Sequence, residues 1–456
     1  MKSSGPASYT PRVPAELWRA VFLMACAPTL PFDLGYAPFQ PLRDMLETSA
    51  TIEEETTRLR TCLSLMRVCR RWRLIAAEFL YEDVRIMDAA ELASLVSGLQ
   101  RSALEDGLGG FGRYIRRLEL PMRHAGFTAQ TLQSPPCAMP PLLTPSPGFR
   151  LGDLLRLCPR LEIFSRPCLR LDSKSIYFWG SLISASLEGD GIPLLPRLRR
   201  LEWCAPTSHT LSSLTYLFAS RHETDLDTRF YGNKNTARFT ELISHAPRLE
   251  YLFMSSDRPD ALSRLPPCPY LCTLRLNRPH YHARYPKHLY PAPTAPHVPK
   301  LTHLVLHTML PTPLLAFLSA AGAHLRVLEL AFAPQLVFSA TQMQRLLARC
   351  PALHELAFAV GAPEISTPAG PAHPALRRVR LRLSPDEWYP YKHVLTAQFG
   401  VLAGPAFPGL EAVVLHDPTR SLARRTVWPG LLRALIDRGC GVFYDDGEVA
   451  TLPLSI

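Results

Sequence analysis

The chain has 456 residues, 47% hydrophobic and 20% charged, a balance that excludes a disordered chain and allows two or three domains or one extended array. Its net charge is +11, and its 45 prolines demand many short elements separated by turns. No apolar leader and no run of 18 apolar residues accompany the 11 cysteines, so an intracellular chain is expected, in nucleus or cytoplasm, with reduced thiols and no membrane segment.

Only six of the 50 basic residues are lysine, which leaves 44 arginines. They are scattered along the chain, and Arg, Ala, Pro and Gly share GC-rich codons. The charge therefore reads as composition, and no nucleic-acid partner is expected.

Residues 1–12 are polar and read as a flexible terminus. At 13–22 a proline stands near a first helical turn, and Leu17, Val21 and Phe22 share one face. A second apolar stripe runs over 63–76 through Leu65, Val68, Cys69, Trp72, Ile75 and Ala76, with arginines mostly outside it. About 35 residues, 27–61, separate the two stripes; 28–41 is proline-rich and 44–60 is a plausible helix. Residues 84–86 alternate as a short strand. This predicts a helical module over 13–86 with an insertion at 27–61.

From 87 to 456 one pattern recurs: proline, any residue, leucine, two residues, an aliphatic, one residue, an apolar. Its first leucines are Leu161, Leu198, Leu249, Leu271, Leu301, Leu325, Leu353, Leu376 and Leu410, the sixth copy having lost its proline. A degenerate copy lies at 115–120. The shorter spacings fall in the 20–29-residue range of leucine-rich repeats, and the longer ones imply inserted loops. Each copy ends in an apolar–variable–apolar strand, and several follow a helical pattern that the proline should stop. One such unit cannot bury its own leucines, but stacked units can. The chain thus resembles the leucine-rich-repeat family. That resemblance implies an α/β solenoid with parallel strands on one face and helices on the other. Loop insertions are expected near 121–149, 278–299 and 361–374. A last helix near 431–436 and a strand near 439–443 should close the array, with Asp445, Asp446 and Glu448 as a polar edge.

In such a stack the variable strand residues line the concave face. Arg200, Glu202, Tyr251, Phe253, Arg275, His303, Glu329, Glu355, Arg378 and Arg380 are therefore the candidate substrate-binding residues, a mix rich in Tyr and Arg.

The N-terminal residues resemble an F-box. Val13-Pro14-Ala15-Glu16-Leu17 opens it, Val21-Phe22 follows, then Val68-Cys69-Arg70-Arg71-Trp72 and the exit Leu80-Tyr81. An F-box with irregular repeats is similar to many F-box proteins of mushroom-forming fungi. The resemblance implies a substrate receptor of an SCF-type cullin–RING ubiquitin ligase, docked on a Skp adaptor and through it on cullin. Pro14, Leu17, Val21, Phe22, Leu65, Val68, Cys69 and Trp72 would lie at or support that interface. The other reading is a repeat scaffold whose helical stripes merely cap the solenoid.

No nucleotide, hydrolase or metalloprotease motif occurs, so neither an enzyme nor a cofactor is expected. Cys268, Cys272, His280 and His282 make the best metal candidate, but Cys268 occupies a recurrent position before the repeat proline, as do Cys158 and Cys350. Packing is the better account, and no metal is expected.

Overall fold

The computed structural model describes residues 13–26, 35–39, 49–86, 89–106, 110–120, 151–166, 195–204, 242–255, 265–277, 298–307, 311–330, 340–359, 372–383, 388–417 and 428–450. It begins with three helices, α1 (Ala15–Cys26), α2 (Ser49–Met66) and α3 (Arg70–Glu82). Pro14 stands just ahead of α1, and its carbonyl accepts from Trp18 N at 3.3 Å. Trp18, Phe22 and Cys26 recur every four residues, which turns them to one side of α1. Phe22 is fully buried with Ile75 and Ala76 of α3, and Trp18, Leu65, Met66, Trp72 and Phe79 pack around them. The Trp72 ring lies 4.6 Å from Trp18 and 5.2 Å from Phe22, centroid to centroid. Polar staples join the helices. Arg19 holds both carboxylate oxygens of Glu78, at 2.9 and 3.1 Å. Buried Arg58 holds Glu55 at 2.6 Å and donates to the carbonyl of Phe79 at 3.1 Å.

Two expectations for this module need correction. The stripe over 63–76 is not one helix. The chain tightens after Leu65, with Val68 N bonded to the Leu65 carbonyl, and α3 starts afresh. Cys69 is its N-cap: the backbone is extended there, and the thiol accepts from Trp72 N at 3.5 Å, a donor that helix geometry leaves unpaired. Cys69 is accordingly exposed, not packed. The described helix α2 also runs to Met66, past the expected ends of the 44–60 helix and the 27–61 insertion.

α3 passes straight into β1 (Asp83–Arg85), so the sheet begins at residue 83, not after 86. Eleven further strands follow among the described residues: β2 (Arg117–Glu119), β3 (Ile163–Arg166), β4 (Arg200–Cys204), β5 (Tyr251–Ser255), β6 (Thr273–Asn277), β7 (His303–Leu306), β8 (Val327–Leu330), β9 (Glu355–Ala359), β10 (Arg378–Arg382), β11 (Ala412–His416) and β12 (Gly441–Tyr444). They form one sheet in sequence order, and the pairings run parallel throughout. Helices α4 (Ala89–Asp106), α5 (Leu151–Arg156), α6 (Pro311–Ala321), α7 (Ala340–Ala348), α8 (Trp388–Ala403) and α9 (Trp428–Asp437) lie between strands in the chain. Their apolar residues, such as Leu99, Leu155, Phe317, Leu346, Leu402 and Leu432, join one continuous core with the inner strand residues. The architecture is an α/β solenoid of leucine-rich-repeat type. α9 and β12 close it, and the turn after β12 carries Asp445, Asp446 and Glu448, all exposed.

The register explains the repeat. Leu118, Phe164, Leu201, Leu252, Leu274, Leu304, Leu328, Leu356, Val379 and Val413 are consecutive partners across ten strands. All are fully buried, and each such side chain contributes about 1.5–3 kcal/mol of transfer free energy. Before several strands the repeat leucine closes a turn on the residue ahead of the proline: Leu161 N to Cys158 O at 3.1 Å, Leu301 N to Val298 O at 3.1 Å, Leu353 N to Cys350 O at 3.0 Å. Proline fits the second place of that turn because its φ is already set. It lies three residues past the helix end in α5 and α7, and shapes the turn as well as ending the helix. Residues 298–299 and 372–374 belong to such turns or their approaches, so the loops expected at 278–299 and 361–374 are shorter. The rest of both, and all of 121–149, lies outside the described residues.

Just outside the sheet, charges alternate from unit to unit. Arg116 bridges Glu82 at 2.8 Å and Glu162 at 3.0 Å. Arg199 pairs with Glu250 at 2.7 Å, and Arg377 with Glu411 at 3.1 Å. These pairs, partly or fully exposed, help set register and add little energy each.

The first position of the turn, ahead of Ala323 in the copy that lacks the proline, must be small where two units approach closely. A Cβ on Gly322 would lie 2.4 Å from the Arg349 carbonyl oxygen. Gly322→Ala is thus expected to destabilise by about 1–3 kcal/mol through overpacking. Gly98→Ala, inside α4 with nothing within 4 Å, should stabilise by about 0.5–1 kcal/mol through helix propensity. Thermal unfolding of both variants checks this, and a Gly322→Ala variant as stable as wild type would refute the close approach.

Candidate interaction surfaces

Alternation along each strand sends the residues flanking the buried row to the opposite, open face of the sheet. Every predicted substrate-binding residue stands in one of two rows there. One row runs Arg200, Tyr251, Thr273, His303, Val327, Glu355, Arg378. The other runs Ser165, Glu202, Phe253, Arg275, Val305, Glu329, Ala357, Arg380, Val414.

This face is not the bare surface expected of hot-spot residues. Arg200, Tyr251, Phe253, Arg275, Glu329 and Glu355 are buried, largely through contacts with one another. The Arg200 guanidinium lies 4.1 Å from the Tyr251 ring centroid and bonds Glu202 at 2.7 Å. Ser165 donates to Glu202 at 2.8 Å. Glu355 accepts from Arg378 at 3.3 Å and from Arg380 at 2.6 Å. Arg275 lies over Phe253 and donates to His307 Nε2 at 2.7 Å, which leaves that imidazole neutral with its proton on Nδ1. Burial, then the charges of Arg275 and Arg382, push the His307 pKa down to about 3. Burial likewise lowers His303 and raises the Glu329 carboxyl.

Part of the cover comes from the insertion between α1 and α2. Residues 35–39 lie on the open face. Tyr36 donates its hydroxyl to Glu329 Oε2 at 2.8 Å, and the backbone N–H of Phe39 donates to the same oxygen at 2.9 Å. The Tyr36 ring is 5.1 Å from His303, and the Phe39 ring 5.5 Å from His416. Phe39 is 3% exposed and adopts a φ of 53°. The proline-rich composition gave no sign of this contact; a Pro-Phe turn flanked by Tyr was the available signal.

The second surface is on the helical module. Leu17, Val21 and Met24 follow helical spacing on the side of α1 away from Trp18, Phe22 and Cys26. They are 57%, 46% and 78% exposed, and Val68 at the α2–α3 break is 60% exposed. Pro14 is exposed beside them in sequence. Of the other residues assigned to adaptor contact, Phe22 is inside the module core, Leu65 and Trp72 are half-buried against it, and Cys69 caps α3.

Among the described residues, no group of three His, Cys, Asp or Glu side chains is placed to hold a metal ion. Cys158, Cys268 and Cys350 are buried at the same turn position. Burial pushes their thiols up to about 12, 11 and 12, away from nucleophilic thiolate. Cys272 donates to the Tyr270 carbonyl at 3.3 Å; His280 and His282 lie outside the described residues. No helix among the described residues is long and apolar enough to cross a membrane.

No protein-family model matches the sequence, and no curated protein does either. Among solved structures, the chain is similar to the leucine-rich repeat-containing protein LegL7 from Legionella pneumophila. That match has 13% identity and a TM-score of 0.35, covering 64% of this chain and 86% of the other.

The neutral His307 has a consequence for pH. The unfolded histidine takes up a proton near pH 6.5, the folded one only near 3. Between those values the unfolded chain binds more protons, so this group lowers stability as pH falls. Wild type should lose melting temperature between pH 7 and 4 more steeply than His307→Gln, which keeps an acceptor for Arg275. Parallel pH profiles would show that His307 does not titrate this way.

Proposed function

We propose that this protein is a substrate adaptor of an SCF-type cullin–RING ubiquitin ligase: α1–α3 dock on a Skp adaptor, and the open sheet face holds a protein substrate. The observation that carries this reading is the exposed apolar surface of the helical module. Eight of the twelve exposed large hydrophobics among the described residues fall between Val13 and Leu74. The module's own core leaves Leu17, Val21, Met24 and Val68 uncovered, and a concentrated apolar patch marks a partner site.

The connection to the sheet also suits an adaptor. α3 enters β1 without a linker, and Tyr81 stacks on Phe111 at 5.0 Å. The buried pair Asp83–Arg117, at 3.1 Å, ties the same junction. A docking surface fixed rigidly to a substrate face would hold the substrate at high effective concentration near a charged conjugating enzyme. In this reading the chain itself is non-enzymatic, and the bond-making belongs to its partners.

The same junction supports a second reading, a repeat interaction scaffold in which α1–α3 simply cap the first strand. Adaptor binding separates the two. Purified full-length protein should retain a Skp adaptor in a pull-down. Leu17→Ala/Val21→Ala should weaken binding by more than about tenfold, as expected when central apolar contacts are truncated, with an unchanged melting temperature. A folded wild type that retains no adaptor would leave the capped scaffold.

A further inference from the structure

We propose that the open face around Glu329 is a binding site for a turn-forming aromatic peptide, a tyrosine followed three residues later by an aromatic, and that residues 35–39 occupy it in cis as a competing ligand. This deepens the substrate-side half of the proposed function. Adaptor binding plays no part in its test.

The side chains on this stretch of the sheet suggest a built recess. From β4 to β6 the open face carries Glu202, Phe253 and Arg275, which fill it. From β7 to β11 the same row changes to Val305, Glu329, Ala357, Arg380 and Val414. Val305 and Ala357 are small yet buried, in the stretch of sheet that residues 35–39 reach. Glu329 sits between them as a buried carboxylate, a group that is costly to desolvate unless donors meet it. Tyr36 and the Phe39 amide supply two donors to one oxygen.

The occupant has the form of a ligand rather than of a core element. It forms no strand with the sheet and touches it through side chains on β7, β8 and β11. Four strand spacings separate β7 from β11, about 19 Å along the sheet. Pro38 and Phe39 form the turn, and Phe39 takes the left-handed backbone that glycine usually takes, at about 1–2 kcal/mol. A glycine would relax that strain but would lose the buried ring. The required features are thus a tyrosine hydroxyl, a turn that frees one N–H, and a second aromatic. Any protein segment with those features could make the same contacts once residues 35–39 leave.

The test uses the full-length chain and a fluorescent peptide spanning its residues 31–44. Anisotropy titrations compare wild type with Tyr36→Ala/Phe39→Ala. The variant should bind the peptide at least tenfold more tightly than wild type, whose tethered segment competes at high effective concentration. The same peptide carrying Tyr36→Phe should bind the variant several-fold more weakly, because the Glu329 contact loses its hydroxyl donor. Equal binding by wild type and variant, or no binding by a folded variant, would overturn the proposal. A variant that unfolds would overturn it too, since the segment would then be an indispensable part of the fold.

Discussion

The row of apolar side chains from Leu118 to Val413 lies under the sheet, and no single unit can enclose it. Each leucine is covered by its counterparts in the units before and after, so the solenoid is stable only as a stack. Other features serve that spacing. The turn before the strand recurs from unit to unit, and Gly322 lets its turn lie close to Arg349 and Cys350 of the next one. The alternating Glu82–Arg116–Glu162 and Arg199–Glu250 pairs mark the same register at the strand entrances. The two ends of the row need caps. α1–α3 meet it at β1, and the Asp445–Glu448 turn meets it after β12.

Covering one face of the sheet leaves the other for side chains that need not be apolar. Polar groups there are held by neighbours on adjacent strands, as Glu355 is by Arg378 and Arg380. Such a lattice positions charge without being freely exposed. Near Glu329 the lattice is interrupted by smaller residues, and a distant part of the chain fills the gap. The helical module shows the opposite condition, an apolar surface with nothing from the described residues over it. One surface is occupied from within and the other is open.

Much of this fold is legible in sequence because the repeat has a strict internal geometry. The turn, the period-two strand and the single buried row leave the same apolar positions in every unit, and loops of any length can intervene. The two rows of the open face could be numbered for the same reason, so residues such as Arg200, Glu329 and Arg380 could be named before their surroundings were known. Burial of those residues was not legible, because it comes from neighbours that are adjacent only after stacking. In the module, the break at Cys69 is not legible in sequence, because a short tight turn barely disturbs the helical spacing of apolar residues.

The class of fold, the strand residues and the face each takes are written in the chain's local periodicity. Tertiary structure alone decided which surfaces remain free. Residues 35–39 are nearly 300 positions from Glu329 in the chain, and no local pattern links them. Their contact forms only where residues 35–39 meet the folded sheet, and the exposure of Leu17 and Val68 arises from how three helices share one small core.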